Sequence, residues 1–164
     1  MRVIDSSRAL LLFIWYAVYM ECIEAFEKGE VAEFGVPERT LETAISKLFF
    51  FGDRVIKVYK RGEYFFANLA DKDARKKFYE DDFFWNQAFS PEIYLKLGKH
   101  EDDFYIEMKK VDTSQTLTVL LQQNALTVED ISRMTRALVE RLHAITTQHP
   151  ERIKSQLDRA FFDL

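Results

Sequence analysis

The feature that most constrains this chain is the run Leu41 to Lys60, LETAISKLFFFGDRVIKVYK. It predicts a hairpin: a strand over Leu48 to Phe51, a tight turn at Gly52-Asp53, and a second strand over Arg54 to Tyr59. Glycine tolerates positive φ and aspartate favours turns, so the dipeptide between two β-rich runs marks a hairpin, although the commoner order is Asp-Gly. Lys57 lies inside the second strand, flanked by Val55, Ile56 and Val58. Strict alternation would turn it outward to solvent. The other reading is a cation placed to hold a phosphate.

The 164 residues suit one domain with a real core. Fifteen phenylalanines predict that this core is aromatic. A net charge of −4 argues against a general nucleic-acid binder, which would carry a basic face. The single cysteine, Cys22, cannot form an internal disulfide and reads as a small apolar residue in a reducing compartment. His100, His143 and His149 are scattered, and no zinc-ligand spacing occurs.

Ala9 to Met20, ALLLFIWYAVYM, follows Arg2 and Arg8. These twelve apolar residues fall short of the ~20 that a spanning helix needs. No small-x-small cleavage site follows, so a packed N-terminal helix is expected, continuing through Ile23 and Phe26 to Gly29. An export signal or a membrane-surface helix is the alternative. Residues 31–39, with Gly35 and Pro37, read as a connector, and Arg61 to Asp73 is polar around an aromatic knot, Tyr64-Phe65-Phe66.

Asp73 to Phe89 turns helical and stops before Ser90-Pro91, because proline disfavours helical geometry in the preceding residue. At about 100° per residue, Phe78, Asp82, Trp85 and Phe89 share one face, with Glu80 nearly opposite. Asp82 is thus the one acid on an aromatic stripe. An inward carboxylate needs a cation, and Lys57 is the candidate; a slightly rotated helix would instead leave Asp82 solvated at the edge.

Two strands are expected next, over Glu92 to Leu97 and Phe104 to Lys109. The polar turn between them carries Glu101-Asp102-Asp103, read as a solvated tip. A short helix over Leu117 to Gln123 follows. Thr127, with Glu129 and Asp130 in the first turn, opens a longer helix on which Ile131, Met134, Leu138, Leu142 and Ile145 recur at helical spacing. Pro150 should end it, and 151–162 should form a last amphipathic piece with Ile153, Leu157 and Phe161.

Several runs resemble bacterial aminoglycoside-phosphotransferase-like proteins. Thr43-Ala44-Ile45-Ser46, Leu48-Phe49 and Gly52-Asp53-Arg54-Val55-Ile56-Lys57 are similar to that family's E-T-x-I-S-x-V-F-x-x-G-D-x-x-Y-K. Asn86 with Phe89-Ser90-Pro91-Glu92-Ile93-Tyr94-Leu95 is similar to its N-x-x-L-A-P-x-x-Y-L. Glu107-Met108-Lys109-Lys110-Val111-Asp112 resembles its hinge strand, and Leu142-His143-Ala144 at the end of a long helix also fits. The resemblance spans roughly Leu41 to Ala144.

It implies an α+β fold: a kinase-like small lobe with a five-stranded antiparallel sheet and an αC-type helix, plus N-terminal and C-terminal helices. The division it implies is 1–37 for the N-terminal helix and connector, 38–112 for the small lobe, and 113–164 for the hinge and first large-lobe helices. Lys57 would pair with the α/β-phosphates of ATP, and Asp82 would hold Lys57, where the family usually has glutamate; Glu80 is the second choice. Thr43 and Ser46 would cover the phosphates with hydroxyls in place of a glycine-rich loop. The backbone from Met108 to Lys110 would meet the adenine edge. No H-x-D-x-x-x-x-N run is present, so this stretch supplies neither the catalytic aspartate nor the Mg²⁺ ligands. Mg²⁺ is expected only with a complete large lobe.

The expected function is therefore an ATP-binding small lobe, cytoplasmic and inactive by itself, whose partners are an adenine nucleotide and a large-lobe polypeptide or a second copy. The alternative is a non-catalytic binding or assembly module built on the same lobe.

Overall fold

A computed structural model describes residues 21–155. The apolar run Ala9 to Met20, and Leu157 and Phe161 of the last amphipathic piece, lie outside the described residues. The chain divides into two units, 1–110 and 111–164.

The first unit is α+β. Helix α1 (Glu21–Lys28) precedes strands β1 (Arg39–Glu42), β2 (Ser46–Phe51) and β3 (Arg54–Tyr59). A two-stranded ribbon follows, β4 (Glu63–Tyr64) with β5 (Ala67–Asn68), then helix α2 (Lys72–Phe89) and strands β6 (Tyr94–His100) and β7 (Asp103–Lys109). The five long strands form one antiparallel sheet in the order β1-β2-β3-β7-β6, which puts β3 at its centre.

The β2–β3 hairpin forms as its sequence predicts. Positive φ falls on Gly52 (58°) at the first central position, the place where a type II′ turn needs glycine. That accounts for the Gly-Asp order.

The sheet is covered on both faces, and its strands divide their side chains between the two. Phe49, Ile56, Val58 and Tyr105 point to one face, where they meet Cys22, Ile23, Ala25 and Phe26 of α1. Phe26 is fully buried, stacked on Phe49 at 5.4 Å and edge-on to Tyr105 at 5.2 Å. The aromatic core expected from composition is here. Helix α1 ends in a left-handed glycine: Gly29 has φ 71°, Gly29 N–H donates to Phe26 O and Glu30 N–H to Ala25 O. This is the double closure that satisfies the last carbonyls of a helix. Cys22 is buried and its thiol is pushed up, by burial first and by Asp103 second.

Tyr59, Leu69, Tyr79 and Ile106 form the core of the opposite face, under α2. Asp71 caps that helix by accepting from Ala74 N–H at 2.8 Å. Its stop at Phe89 agrees with the Ser90-Pro91 signal. The β4–β5 ribbon was not expected; its strands are only two residues long, below what alternation can register.

The second unit begins with a 3₁₀ turn (Thr113–Gln115) and helices α3 (Leu117–Gln122) and α4 (Val128–Gln148). Thr127 and Asp130 form a reciprocal capping box at the start of α4. Of the apolar residues recurring along α4, Ile145 is buried, while Ile131, Met134, Leu138 and Leu142 stay exposed. No helix among the described residues is long and apolar enough to cross a membrane.

Candidate functional site

Lys57 sits on the central strand, opposite Leu48 of β2 and Ile106 of β7. Side chains two apart on a strand share a face, so Lys57 lies between Val55 and Tyr59 on the side that α2 covers. The outward, solvated reading of Lys57 is therefore overturned. Its side chain is 19% exposed, because both faces of a central strand are roofed.

Its partner is Asp82, at 3.3 Å from Nζ to Oδ2, with Asp82 itself 20% exposed. The ammonium also lies over the ring of Tyr59, 4.5 Å from the centroid, within cation–π range. Glu80 is exposed and faces Lys76 at 3.8 Å, so it does not compete for Lys57.

The other oxygen of Asp82 is held from its own helix. Asn86 Nδ2 donates to Oδ1 at 3.0 Å and to the Asp82 carbonyl at 2.8 Å. The Tyr59 phenol is pushed well above its ordinary range, by burial first and by the Asp82 carboxylate second. Tyr94 is raised for the same two reasons. Asp82 thus gathers a lysine and an amide on one carboxylate, with the Tyr59 ring beneath the ammonium.

Helix α2 is rotated from the expected orientation. Its sheet-facing line is Arg75, Tyr79, Asp82 and Asn86, at spacings of four, three and four. At 100° per residue that line is centred about 60° from the stripe of Phe78, Asp82, Trp85 and Phe89. Arg75 and Tyr79 are buried, whereas Trp85 and Phe89 are only half-buried. The polar residues face inward because each has a partner waiting. Tyr79 accepts the Tyr59 backbone N–H at 2.7 Å, and Arg75 reaches Asp103 at 3.0 Å. Asp82 is inside the contact face, not at a solvated edge.

Asp103 corrects a second expectation. The turn between β6 and β7 is only Glu101-Asp102, since His100 pairs with Asp103. Asp103 is 4% exposed and not part of a solvated tip. Its Oδ2 accepts from Arg61 at 3.0 Å, and its Oδ1 from Arg75 Nε at 3.0 Å and from Phe104 N–H at 2.9 Å. Arg75 also donates to the carbonyls of Leu69 and Ala70. Arg61, Arg75 and Asp103 carried no periodic or motif signal. The one available clue was that Arg75 lies seven residues before Asp82, on the same helix line.

Thr43 and Ser46 are brought together, but for each other. Thr43 Oγ1 is 2.8 Å from Ser46 Oγ and accepts the Ser46 N–H at 2.9 Å, while Thr43 N–H donates to Ser46 O at 2.8 Å. Ser46 is 3% exposed. Lys60 closes the same loop by donating to Thr43 O at 2.7 Å and pairing with Glu42 at 2.6 Å. These hydroxyls lock the β1–β2 turn.

Met108 is half-buried beside Val55 and Tyr94, on the Lys57 face of the sheet. Lys110 is exposed at the end of the first unit. The Lys109 N–H donates to Ile93 O at 2.8 Å and the Lys110 N–H to Asp53 O at 2.7 Å, so both amides are engaged within the first unit.

Compared with family models, with curated proteins and with solved structures, the chain finds no match.

Proposed function

We propose that residues 38–112 are the nucleotide-binding small lobe of an aminoglycoside-phosphotransferase-like kinase. The observation that carries this reading is the Lys57–Asp82 pair: a lysine on the central strand, a partly buried acid on the following helix, 3.3 Å apart. In kinases such a pair presents an ammonium to the α/β-phosphates of ATP. The element order supports the reading, with a three-stranded meander, then the helix, then two strands of which the second returns to β3. The chemistry of the donor set fits a phosphate at Lys57. It fits less well at Thr43 and Ser46, whose hydroxyls are spent on the turn, so a phosphate cover would be made of backbone N–H groups. Adenine would be read by carbonyls near Met108 to Lys110, because the amides of Lys109 and Lys110 are engaged.

Phosphoryl transfer also needs a catalytic aspartate and Mg²⁺ ligands, and residues 1–164 contain no H-x-D-x-x-x-x-N run. The function proposed for this chain is therefore adenine-nucleotide binding, with chemistry completed by a large-lobe polypeptide, in the cytoplasm where ATP is available. Calorimetric titration with ATP, ADP and adenosine tests it. ATP and ADP should bind more tightly than adenosine, whereas equal or absent binding of all three would refute the reading.

One observation favours a second reading, an assembly module. In the second unit an apolar groove of about 480 Å³ is lined by Leu117, Leu121, Leu126, Ile131, Met134 and Leu138 among others. A self-associating or partner-bound chain would support this reading, and a strictly monomeric chain that captures nothing would count against it.

A further inference from the structure

Aspartate has one methylene less than the glutamate expected opposite a phosphate-binding lysine. A shorter side chain on a helix reaches the sheet only if something fixes its rotamer and its end. Asn86, one helical turn on, does so: it donates to both the side chain and the carbonyl of Asp82, at 3.0 and 2.8 Å. Tyr59, two residues after Lys57 on the same strand face, underlies the Lys57 ammonium with its ring.

We propose that Asn86 is a positioning residue for nucleotide binding: it fixes Asp82 so that its short carboxylate holds Lys57 where a phosphate can share it. The inference rests on the nucleotide reading of Lys57. Two physical consequences follow. First, when the ammonium turns toward a phosphate, Asp82 keeps the Asn86 amide and is not stranded, so sharing the lysine does not carry the penalty of an orphaned buried carboxylate. Second, the arrangement is specific to aspartate, because a glutamate at the same place would reach Lys57 without the tether.

The second consequence makes the proposal separable from a merely structural role. Asn86→Ala keeps a good helix former in α2. It should weaken ADP binding about tenfold or more, the size of one lost hydrogen bond to a charged group, while adenosine binding stays unchanged. Adding Asp82→Glu to Asn86→Ala should restore most of the ADP affinity. A second readout needs no nucleotide. The Lys57–Asp82 coupling, measured by a double-mutant cycle in urea with Lys57→Met and Asp82→Asn, should fall from about tenfold in the unfolding constant to under about twofold once Asn86 is alanine.

ADP binding by the wild-type chain that is unchanged in Asn86→Ala overturns this proposal and leaves the nucleotide reading standing. No ADP binding by the wild-type chain overturns both. Failure of Asp82→Glu to rescue Asn86→Ala, with both variants folded, overturns the positioning role.

Discussion

Replacing Asp103 by alanine removes a carboxylate that pairs with both Arg61 and Arg75. Arg75 is 3% exposed, and Arg61 contributes a side chain that is 9% exposed. Without Asp103 the Arg75 guanidinium keeps only the carbonyls of Leu69 and Ala70, at 2.9 and 3.3 Å, and the Phe104 N–H loses its acceptor. Stranding one member of a buried ion pair costs about 3–5 kcal/mol, roughly a fifth or more of the ~5–15 kcal/mol that holds a typical domain. With a urea m-value of about 2 kcal/mol/M, the midpoint should fall by roughly 2 M, read from Trp85 fluorescence in a Trp15→Phe background. The triple replacement Asp103→Leu with Arg61→Met and Arg75→Met removes all three charges and should be less destabilising than Asp103→Ala alone, since apolar side chains of similar volume replace an ion triad at little net cost. A loss below about 1 kcal/mol for Asp103→Ala, or a triple variant less stable than Asp103→Ala, would refute the view that this cluster ties α2 to β7.

Tyr59 and Tyr79 are buried, and both phenols are raised above their ordinary value of 10.0 chiefly by burial. In the unfolded chain they ionise above pH 10 while in the fold they stay protonated. Their stability is therefore fully present below pH 10 and declines above it, by about 1.4 kcal/mol per pH unit for each hydroxyl; a denaturation midpoint that stays level from pH 9 to 11 would contradict this. Cys22, raised by burial in the same sense, should resist a thiol reagent at pH 8 in the native chain and react on unfolding. Gly98 lies opposite Tyr105, and a Cβ there would run into the Tyr105 ring. That ring is locked in the aromatic core against Phe26 and Phe34, so Gly98→Ala should lower the midpoint by an overpacking penalty of about 1–3 kcal/mol.

The elements that could be read from the sequence are those whose cause is local. The Gly-Asp turn, the stop before Pro91 and the Thr127 cap each depend on a few adjacent residues, and each forms where its signal lies. The pairing of Lys57 with Asp82 was also legible, because an inward acid without a cation is too costly to leave unexplained. What misled was hydrophobicity as a compass. The aromatic residues of α2 pointed to one helix face, whereas the sheet selected the neighbouring line of Arg75, Tyr79, Asp82 and Asn86. Arg75, Tyr79 and Asp82 face inward because partners distant in sequence satisfy them, and periodicity carries no information about partners. Asp103 was misread for the same reason: three acids at a turn resemble a solvated tip until two arginines arrive from elsewhere in the chain. Thr43 and Ser46 were correctly brought together, but their hydroxyls serve the turn.

The central claim is that Lys57 is held ready for a phosphate, and the most direct measurement compares Lys57→Met with the wild-type chain in titrations of ADP and adenosine. A hydrogen bond from a charged donor contributes about 1.5–3 kcal/mol, so ADP affinity should fall roughly tenfold or more while adenosine affinity does not change. Equal ADP affinities for the two folded chains would contradict the account.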